Sequence, residues 1–502
     1  MLFSAKMFKY VQGEKAVSKQ SSRLFEMGRK AERNKCRKAK RAREELMKKI
    51  RVILWGFGAM GSGIARMILQ KKGIEITGVV DGWEELVGKD MYERLGVERG
   101  ERPEVRITNQ PEAVISRQNA DIVVLATDSF TAKAAPKIEF CLERGLNVVT
   151  TAEEMSWPWA QEKELALEID RLARRHHVSV LGTGVNPGFV LDLLVLVLSG
   201  ACEDVKSIEA SRINDLSPFG RAVMEEQGVG LSPEDFAERN AAGKLAGHVG
   251  FPESIGIIAK GLGVEITDIR QSKDPIVSSV ERKPPYAYVA PGHVAGIRQQ
   301  SWAKTPDGKD FIHLDHPQQV LPGLEGVETG DYITLHCGDY DMNLRIKPET
   351  PGGIGTIAMI VNMIPHVIDA EPGLRSLLDL PIPHAILGDF SEQLKNVQEE
   401  RRFYKKGDLV TVETVSLEAG KRAGSVPPDT AEKPLLVWDK GFLQEDAYTG
   451  DEVEIETLIG RRFRGRLCNR PVHYQHDFGE MQPELIRIHQ QVTKIAFGEA
   501  EA

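Results

Sequence analysis

A glycine-rich turn near residue 56 has the residue types and the spacing that bind a nucleotide phosphate. The apolar run 51–55 leads directly into the segment Gly56-Phe57-Gly58-Ala59-Met60-Gly61. In this pattern the first glycine permits a tight turn, the second lets the backbone approach a pyrophosphate, and the third lets helix and strand pack closely. The free N–H groups of the helix that follows would hold the phosphates. We therefore predict that these six residues bind a dinucleotide.

Asp81 adds a second part of the same site. It ends another apolar run, 74–80, and its carboxylate would accept hydrogen bonds from the adenosine ribose. Between the two runs, residues 62–70 have the pattern of a helix. The alternative is a glycine-rich turn in another kind of α/β protein. The strand, the helix and the acid together disfavour that alternative.

Strands and helices alternate beyond this turn, which is typical of a parallel sheet. Buried strands are predicted over residues 120–127, 146–150 and 178–181. In open α/β sheets, ligands bind at the carboxyl ends of the strands. Thr127 ends the first of these strands, and we therefore predict that it also contacts the cofactor.

Acidic and amide side chains follow the next two strands. Glu153 and Glu154 come just after the strand 146–150, and Asn186 lies in a glycine-rich turn after the strand 178–181. A carboxylate at this edge could act as a general base, and the amide could orient a carboxylate or a water molecule. Each acid could equally be a surface or helix-capping carboxylate, because charged residues are mostly exposed.

His248 and Glu253 form a further candidate pair in the segment Gly-His-Val-Gly-Phe-Pro-Glu. The glycines and the proline predict a turn-rich loop. The pair combines a base that can change its charge near neutral pH with a carboxylate. Loops that carry such residues are often functional, which favours a catalytic role for His248.

From residue 191 to 350 the sequence changes to short runs separated by Pro, Gly and Asp turns. Antiparallel strands are predicted over residues 205–214, 264–272, 293–302, 311–314 and 332–344. The apolar helix predicted over 355–368 would pack back against the first domain, residues 47–190. We therefore predict an α/β fold in which a Rossmann dinucleotide-binding domain is combined with an α+β substrate domain.

A small C-terminal domain is predicted over residues 405–502, after a charged linker at 391–404. Its short β-runs are separated by the turns Lys-Gly-Asp, Thr-Gly-Asp and Ile-Gly-Arg. This pattern predicts a mostly-β domain, a small barrel, with a terminal helix over residues 484–497.

Composition and charge limit the classes of function. Residues 1–50 carry a net charge of +11, whereas the whole chain of 502 residues carries −8. The basic segment has no aromatic platform or apolar periodicity, so residues 1–46 are predicted to be a dispensable, disordered extension and not a nucleic-acid or membrane module. The five cysteines show no paired spacing, which indicates a cytoplasmic protein without a metal site or disulfide framework.

Two parts of the chain resemble known families. Residues 51 to about 390 resemble 2,4-diaminopentanoate dehydrogenase, a relative of dihydrodipicolinate reductase and diaminopimelate dehydrogenase, through the segments GFGAMGSG, TTAEEMSWP, GTGVNPGFVLD, GHVGFPESI and IVNMIPHV. Residues 405 to 500 resemble the alpha subunit of 2-amino-4-ketopentanoate thiolase, through the segments KKGDLV, VPPDT, KGFL, GDEVEIET and HDFGEMQPEL.

The resemblance implies two consecutive reactions of ornithine degradation. The first part would carry out NAD(P)-dependent oxidative deamination of 2,4-diaminopentanoate, a small diamino acid, to 2-amino-4-oxopentanoate. The C-terminal part would be one subunit of the thiolase that cleaves this product with coenzyme A. Pyridoxal phosphate would then be held by a large partner subunit. We also expect the chain to form a homo-oligomer.

The substrate that the resemblance implies gives the candidate residues more definite roles. It carries one carboxylate and two ammonium groups, so Glu153, Glu154 or Glu253 would bind an ammonium group, and His248 or one of these acids would act as the base. Asp81 favours NAD over NADP, because its charge would repel a 2′-phosphate. Two alternatives remain. One is another amino-acid or semialdehyde dehydrogenase, such as a homoserine or aspartate dehydrogenase, and the other is a non-catalytic NAD-binding scaffold that recruits a thiolase.

Overall fold

The computed structural model describes residues 49–394, 403–417 and 434–468, together with residues 421, 488 and 492. The chain divides into two compact units, Met1–Leu394 and Lys395–Ala502, called unit 1 and unit 2 below. The basic segment 1–46 and most of the predicted linker lie outside the described residues.

Unit 1 contains thirteen strands within the described residues. In chain order they are β1 Ile50–Trp55, β2 Ile74–Val80, β3 Ile107–Thr108, β4 Ile122–Leu125, β5 Asn147–Thr150, β6 Ser179–Gly182, β7 Ser207–Asp215, β8 Asp268–Val277, β9 Val294–Lys304, β10 Asp310–Gln319, β11 Gly330–His336, β12 Asp341–Ile346 and β13 Gly373–Arg375.

The α-helices of the described part of unit 1 number ten. They are α1 Ala59–Leu69, α2 Met91–Leu95, α3 Pro111–Val114, α4 Thr131–Leu142, α5 Lys163–Arg175, α6 Leu193–Ser199, α7 Arg221–Glu226, α8 Pro233–Ala241, α9 Phe251–Leu262 and α10 Gly352–Ile368. Short 3₁₀ turns occupy Glu153–Ser156, Pro158–Ala160, Pro322–Glu325 and Ser391–Gln393.

The first sheet is parallel and confirms the predicted α/β fold. Its seven strands lie in the order β13-β6-β5-β4-β1-β2-β3, and each neighbouring pair runs parallel. Apolar clusters lie on both faces of this sheet, so consecutive residues of the central strand, such as Val52, Ile53 and Leu54, are all fully buried. This two-sided burial explains why its strands read as continuous apolar runs.

The second sheet confirms the predicted substrate domain but differs in its pairing. Its six strands lie in the order β12-β11-β7-β10-β9-β8, and β7 pairs with β10 in parallel. The predicted all-antiparallel arrangement is therefore wrong, because β7 and β10 pair across a long stretch of chain that no local pattern reveals. The predicted strand 332–344 is in fact two strands, β11 and β12, joined by the turn Cys-Gly-Asp-Tyr.

Helix α10 links the substrate domain to the first sheet. It packs against α1 so closely that a Cβ atom on Gly63 would lie 2.3 Å from Cδ1 of Ile357. At its first turn, the Thr356 hydroxyl accepts a hydrogen bond from the backbone N–H of Val185, at 3.1 Å. The start of this helix is thereby fixed against the glycine-rich turn after β6.

Unit 2 contains a small closed barrel, which confirms the predicted mostly-β domain. The barrel strands are β15 Leu409–Leu417, β16 Leu435–Leu443, β18 Glu452–Glu456 and β19 Arg462–Cys468. A two-stranded ribbon, β14 Phe403–Tyr404 with β17 Ala447–Tyr448, accompanies it. Val412 and Ile455 are fully buried in its core. Nearly all of the predicted helix 484–497 lies outside the described residues.

Among the residues that the structure describes, no helix is both long and apolar enough to span a membrane. The same residues contain no cluster of three or more His, Cys, Asp or Glu side chains that could hold a metal ion. Four cysteines are described, and none of them forms a disulfide bond with another described residue.

Candidate active site

The glycine turn has the geometry that a bound dinucleotide requires. Gly56 has a φ of +99°, and a Cβ atom there would lie 2.4 Å from the carbonyl oxygen of Ala126. A Cβ atom on Gly61 would lie 1.9 Å from the carbonyl oxygen of Gly56, whereas one on Gly58 would meet nothing within 4 Å. The first and third glycines are thus required by the fold itself. The second one leaves open space beside the turn, as expected where a phosphate approaches.

Helix α1 begins immediately after this turn, three residues earlier than predicted. Its N-cap, Gly58, has no side-chain hydrogen bond to the first turn. The first N–H groups of a helix have no partner within the helix and attract anions. The residues Phe57, Ala59 and Met60 therefore surround a helix end that fits the diphosphate of NAD or NADP.

Asp81 lies at the end of β2, directly beside this turn. One of its carboxylate oxygens accepts the backbone N–H of Phe57 at 2.6 Å, and the other accepts that of Trp83 at 2.8 Å. The carboxylate is partly exposed, so ribose hydroxyls can still reach it. Thr127 is exposed after β4, and its hydroxyl donates to Asp128 at 2.6 Å.

The two acids after β5 have different surroundings, although they are adjacent in sequence. Glu154 is buried, and its carboxylate accepts the backbone N–H of Thr131, at the start of α4, at 2.7 Å. Glu153 is partly exposed, and its carboxylate bonds to Ser129 in the loop after β4. Burial raises the pKa of Glu153. Of these two acids, Glu153 is therefore the accessible one, and its raised pKa favours a role in proton transfer.

Glu253 is fully buried and lies in the first turn of α9, not in a loop as predicted. The helix begins there because Gly250, with a φ of +118°, packs against the ring of Pro187. Gln161 donates to one Glu253 carboxylate oxygen at 2.8 Å, and the other oxygen has no hydrogen-bond partner among the described residues. Burial raises the pKa of Glu253 to about 7, and the charges of Glu154 and Glu153 act in the same direction.

A prediction about stability follows from this buried carboxyl group. A raised pKa means that ionisation disfavours the folded state, so the stability that the neutral acid provides is lost as the pH rises from about 4.5 through about 7. Glu253→Gln should be nearly as stable as the wild type at pH 5 and more stable by up to ~3 kcal/mol at pH 8. Chemical denaturation at both pH values measures this difference, and equal stability at pH 8 would contradict the assignment.

His248 and Asn186 lie side by side. The region between these two residues, the acids Glu153 and Glu253 and the second sheet is called the cleft below. The Asn186 amide nitrogen lies 3.2 Å from Nε2 of His248, and the His248 ring contacts Phe251 and His316 edge-on. Burial, together with the positive charge of Arg212, lowers the pKa of His248 to about 3. The imidazole is therefore neutral at physiological pH, which suits hydrogen bonding better than proton exchange.

The loop that carries His248 is held from three sides. The side-chain amide of Gln299 accepts the His248 N–H at 2.8 Å and donates to its carbonyl oxygen at 3.0 Å. Gln227 donates to the carbonyl oxygen of Gly247 at 2.9 Å, and Lys273 donates to those of Leu245 and Ala246. These contacts fix the position of the imidazole without touching the ring.

Asp192 ties the Asn186 turn to the helix that carries Glu253. Its fully buried carboxylate accepts the N–H groups of Gly188 and Leu193 at 2.8 and 2.6 Å, and the Ser254 hydroxyl at 2.8 Å. Burial raises the pKa of Asp192. Three donors to one carboxylate make this a structural junction and not a group that contacts substrate.

Four buried polar residues of the second sheet line the same cleft and were not identified from the sequence. They are Arg212 and Asn214 on β7 and His316 and Gln318 on β10. One sequence pattern could have revealed them. Alternate residues of a strand face the same side, and along β10 the inward residues change from apolar to polar, in the order Ile312, Leu314, His316 and Gln318. Such a change marks the point where the apolar core on this face ends.

Comparison with known proteins agrees with this geometry. Residues 50–156 match the family model described as dihydrodipicolinate reductase, N-terminus. Residues 189–396 match the 2,4-diaminopentanoate dehydrogenase C-terminal domain, and residues 403–496 match AKP thiolase subunit OrtA.

Two relatives from Acetoanaerobium sticklandii are similar to the two parts of the chain. A 2,4-diaminopentanoate dehydrogenase is 51% identical over 360 residues, which is 72% of this chain and 100% of the relative. A 2-amino-4-ketopentanoate thiolase alpha subunit is 46% identical over 94 residues, which is 19% of this chain and 93% of the relative. The solved structure of an amine dehydrogenase from Mycobacterium smegmatis aligns with a TM-score of 0.60 and 25% identity, over 68% of this chain and 98% of that one.

The parallel sheet, the glycine turn and the acids beside it define an NAD(P)-dependent oxidoreductase that acts on a CH–NH₂ group. The full-length match at 51% identity makes the assignment more specific. The chain belongs to the 2,4-diaminopentanoate dehydrogenase family and carries a thiolase alpha-subunit domain at its C-terminal end. Both resemblances found in the sequence are confirmed.

Proposed function

We propose that unit 1 oxidatively deaminates 2,4-diaminopentanoate to 2-amino-4-oxopentanoate with NAD or NADP. The observation that carries this proposal is the full-length match to a 2,4-diaminopentanoate dehydrogenase. The cleft supports it, because it holds carboxylates for an ammonium group on one side and a neutral, amide-rich surface on the other.

Glu153 is the proposed catalytic base. The acid follows β5 at the carboxyl edge of the sheet, and its raised pKa makes its carboxylate a stronger base than that of an ordinary Glu side chain. It would first remove a proton from the distal ammonium group and later assist the water that hydrolyses the imine. When bound, NAD(P) would supply the hydride acceptor. Glu253 is buried near Glu153, and its protonation would change the total negative charge of the two acids. Asn186 and His248 would orient the part of the substrate that does not react.

The direct test is reduction of NAD(P) by the full chain in the presence of 2,4-diaminopentanoate, homoserine or aspartate. The proposal expects turnover with the diamino acid in large preference to the other two. A preference for homoserine or aspartate would support the alternative dehydrogenases. Cofactor binding without any turnover would support the non-catalytic scaffold.

We further propose that NAD is preferred over NADP. This proposal is supported by the charge of Asp81, which would repel a 2′-phosphate on the ribose, and by its neighbours Gly82, Trp83 and Glu84, which provide no cation to offset that charge. The wild type should show a higher kcat/KM with NAD, and Asp81→Ser should narrow the ratio between the two cofactors. Because the substitution also removes hydrogen bonds to Phe57 and Trp83, the ratio is the relevant readout. A wild-type preference for NADP would refute the proposal.

For unit 2 we propose the role of a thiolase subunit that works with a larger partner. The described barrel is small, so pyridoxal phosphate would be held by the partner subunit. Homo-oligomers of the chain would bring several copies of unit 2 together. A short flexible tether, such as the predicted linker 391–404, gives one domain an effective concentration on the order of millimolar near the other. This proximity would help the ketone pass from the dehydrogenase to the thiolase.

The expected result is that coenzyme A cleaves 2-amino-4-oxopentanoate only when a pyridoxal-phosphate large subunit is added. Acetyl-CoA formation by the chain alone, the partner alone and both together measures this. The dehydrogenase rate in the same samples serves as the control for intact protein. Cleavage by the chain alone would show that the division of labour is wrong.

A further inference from the structure

The covered face of the six-stranded sheet is divided into an apolar half and a polar half. On β10 the inward side chains Ile312 and Leu314 pack into an apolar cluster with α9, whereas His316 and Gln318 follow at the same face and remain buried. On β7 the same change occurs after Ala210. The polar half faces the cleft that holds His248, whose ring lies 4.7 Å from that of His316.

Two buried atoms of this polar half have no hydrogen-bond partner within the described residues. They are Nδ1 of His316 and Nε2 of Gln318, on side chains that are only 4% and 7% exposed. Buried polar atoms in proteins are nearly always hydrogen-bonded, so two such atoms on one strand indicate a ligand. Across the cleft, Oδ1 of Asn186 also has no partner among the described residues.

These atoms have complementary hydrogen-bonding characters. Nε2 of His316 lies 3.0 Å from the side-chain amide oxygen Oδ1 of Asn214, so Nε2 carries the proton and leaves Nδ1 as an acceptor. The amide nitrogen of Gln318 is a donor. Residues two apart on one face of a strand are separated by ~6.5–7 Å. An ammonium group and a carboxylate on the same α-carbon can bridge that distance with two ordinary hydrogen bonds.

The electrostatic surroundings keep the two imidazoles of this region neutral. Arg212 lies beside His316 on the neighbouring strand, and its guanidinium is paired with Asp331 at 2.7 Å and donates to the carbonyl oxygen of Thr350. Burial, together with the charge of Arg212, lowers the pKa values of His316 and His248, so Nδ1 of His316 stays a hydrogen-bond acceptor. The carboxylates Glu153 and Glu253 lie in a separate acidic group, which suits a cation.

We propose that His316, Gln318 and Asn186 form a subsite for the α-amino-acid head of the substrate. Gln318 donates to the carboxylate, while His316 and Asn186 accept from the 2-ammonium group. The distal amine then lies on the side of Glu153. The identity of the substrate rests on the proposed function, whereas the chemistry of the subsite applies to any α-amino acid.

The test compares two substrates that share the reacting carbon. Butane-1,3-diamine has the same distal amine as 2,4-diaminopentanoate and lacks the carboxylate. Gln318→Leu should lower kcat/KM for the diamino acid by about 10- to 100-fold, because a hydrogen bond to a charged group is lost. With butane-1,3-diamine the same variant should match the wild type. Equal losses with both substrates, or none with the diamino acid, would overturn the inference.

Matched controls come from the opposite face of the same sheet. Gln300 and His313 bond to each other there at 3.0 Å. Gln300→Leu and His313→Phe should therefore leave both substrates unaffected, whereas His316→Phe should lower kcat/KM for both, because both carry the ammonium group from which His316 accepts. NADH affinity should stay the same in all variants. A loss for the diamino acid in Gln300→Leu equal to that in Gln318→Leu would overturn the assignment.

A binding experiment separates this inference from the proposed function. Calorimetry can measure 2-aminobutanoate binding to the NADH-bound protein without any turnover. If the wild type oxidises neither substrate but binds 2-aminobutanoate, and Gln318→Leu does not, the proposed function fails and the subsite stands. If the wild type does not bind 2-aminobutanoate, the subsite is wrong whatever the turnover.

Discussion

Glu153→Gln is expected to lower kcat by roughly 10²–10⁴-fold, the usual contribution of a general base. The amide keeps the size and the contact to Ser129 but cannot take a proton from the ammonium group. The affinity for NADH should be nearly unchanged, because Glu153 belongs neither to the glycine turn nor to the residues around Asp81. Pre-steady-state reduction of NAD by the diamino acid measures the chemical step directly.

The neighbouring acid provides the control. Glu154 caps α4 through the N–H of Thr131, so Glu154→Gln should lower the free energy of unfolding by about 1 kcal/mol while leaving the chemical step nearly intact. If Glu154→Gln abolished reduction and Glu153→Gln did not, the two roles would have to be exchanged. If both variants reduced NAD at the wild-type rate, the base would have to lie elsewhere in the cleft.

The second large effect is expected at the glycine turn. Gly61→Ala places a Cβ atom 1.9 Å from the carbonyl oxygen of Gly56, so the turn must shift. Overpacking of this kind costs about 1–3 kcal/mol, and we expect losses of both thermal stability and dinucleotide affinity. Differential scanning fluorimetry, with and without NADH, measures the two effects in one experiment.

Gly58→Ala distinguishes cofactor contact from packing. Its Cβ atom would meet no protein atom within 4 Å, so the stability of the protein without cofactor should be unchanged. The methyl group would occupy the space beside the helix end, and NADH affinity should therefore fall. A variant that binds NADH normally would show that the diphosphate does not approach this glycine.

The sequence was sufficient to predict the glycine turn and five of the seven strands of the first sheet, because these depend on local patterns, whereas the short edge strands β3 and β13 were not predicted. Continuous apolar runs such as 51–55 follow from burial on both faces, and the third glycine is required by its contact with Gly56, five residues earlier. The first glycine is required by its positive φ as well as by the approach of Ala126. The closed barrel of unit 2 was predicted for a similar reason, since its turns carry short Gly-Asp signals.

The parts that the sequence did not reveal depend on contacts between distant residues. The parallel pairing of β7 with β10 joins positions about a hundred residues apart, as in Ser211 with Asp315. Glu153 and Glu154 could not be distinguished, because their roles are set by Ser129 and Thr131 and not by their own neighbours in sequence. The low pKa of His248 likewise depends on burial and on the charge of Arg212.

The Asp192 junction couples two parts of the site that are distant in sequence. Its carboxylate bonds to the turn of Asn186 through Gly188 and to α9 through Ser254. The segment after β5 that carries Glu153 is bonded to the same helix, because Gln161 donates to Glu253 at 2.8 Å. A displacement of α9 would therefore be transmitted both to the Asn186 turn and to the segment of Glu153. A substitution on this helix, although remote from the cofactor, would disturb both ends of the substrate site together.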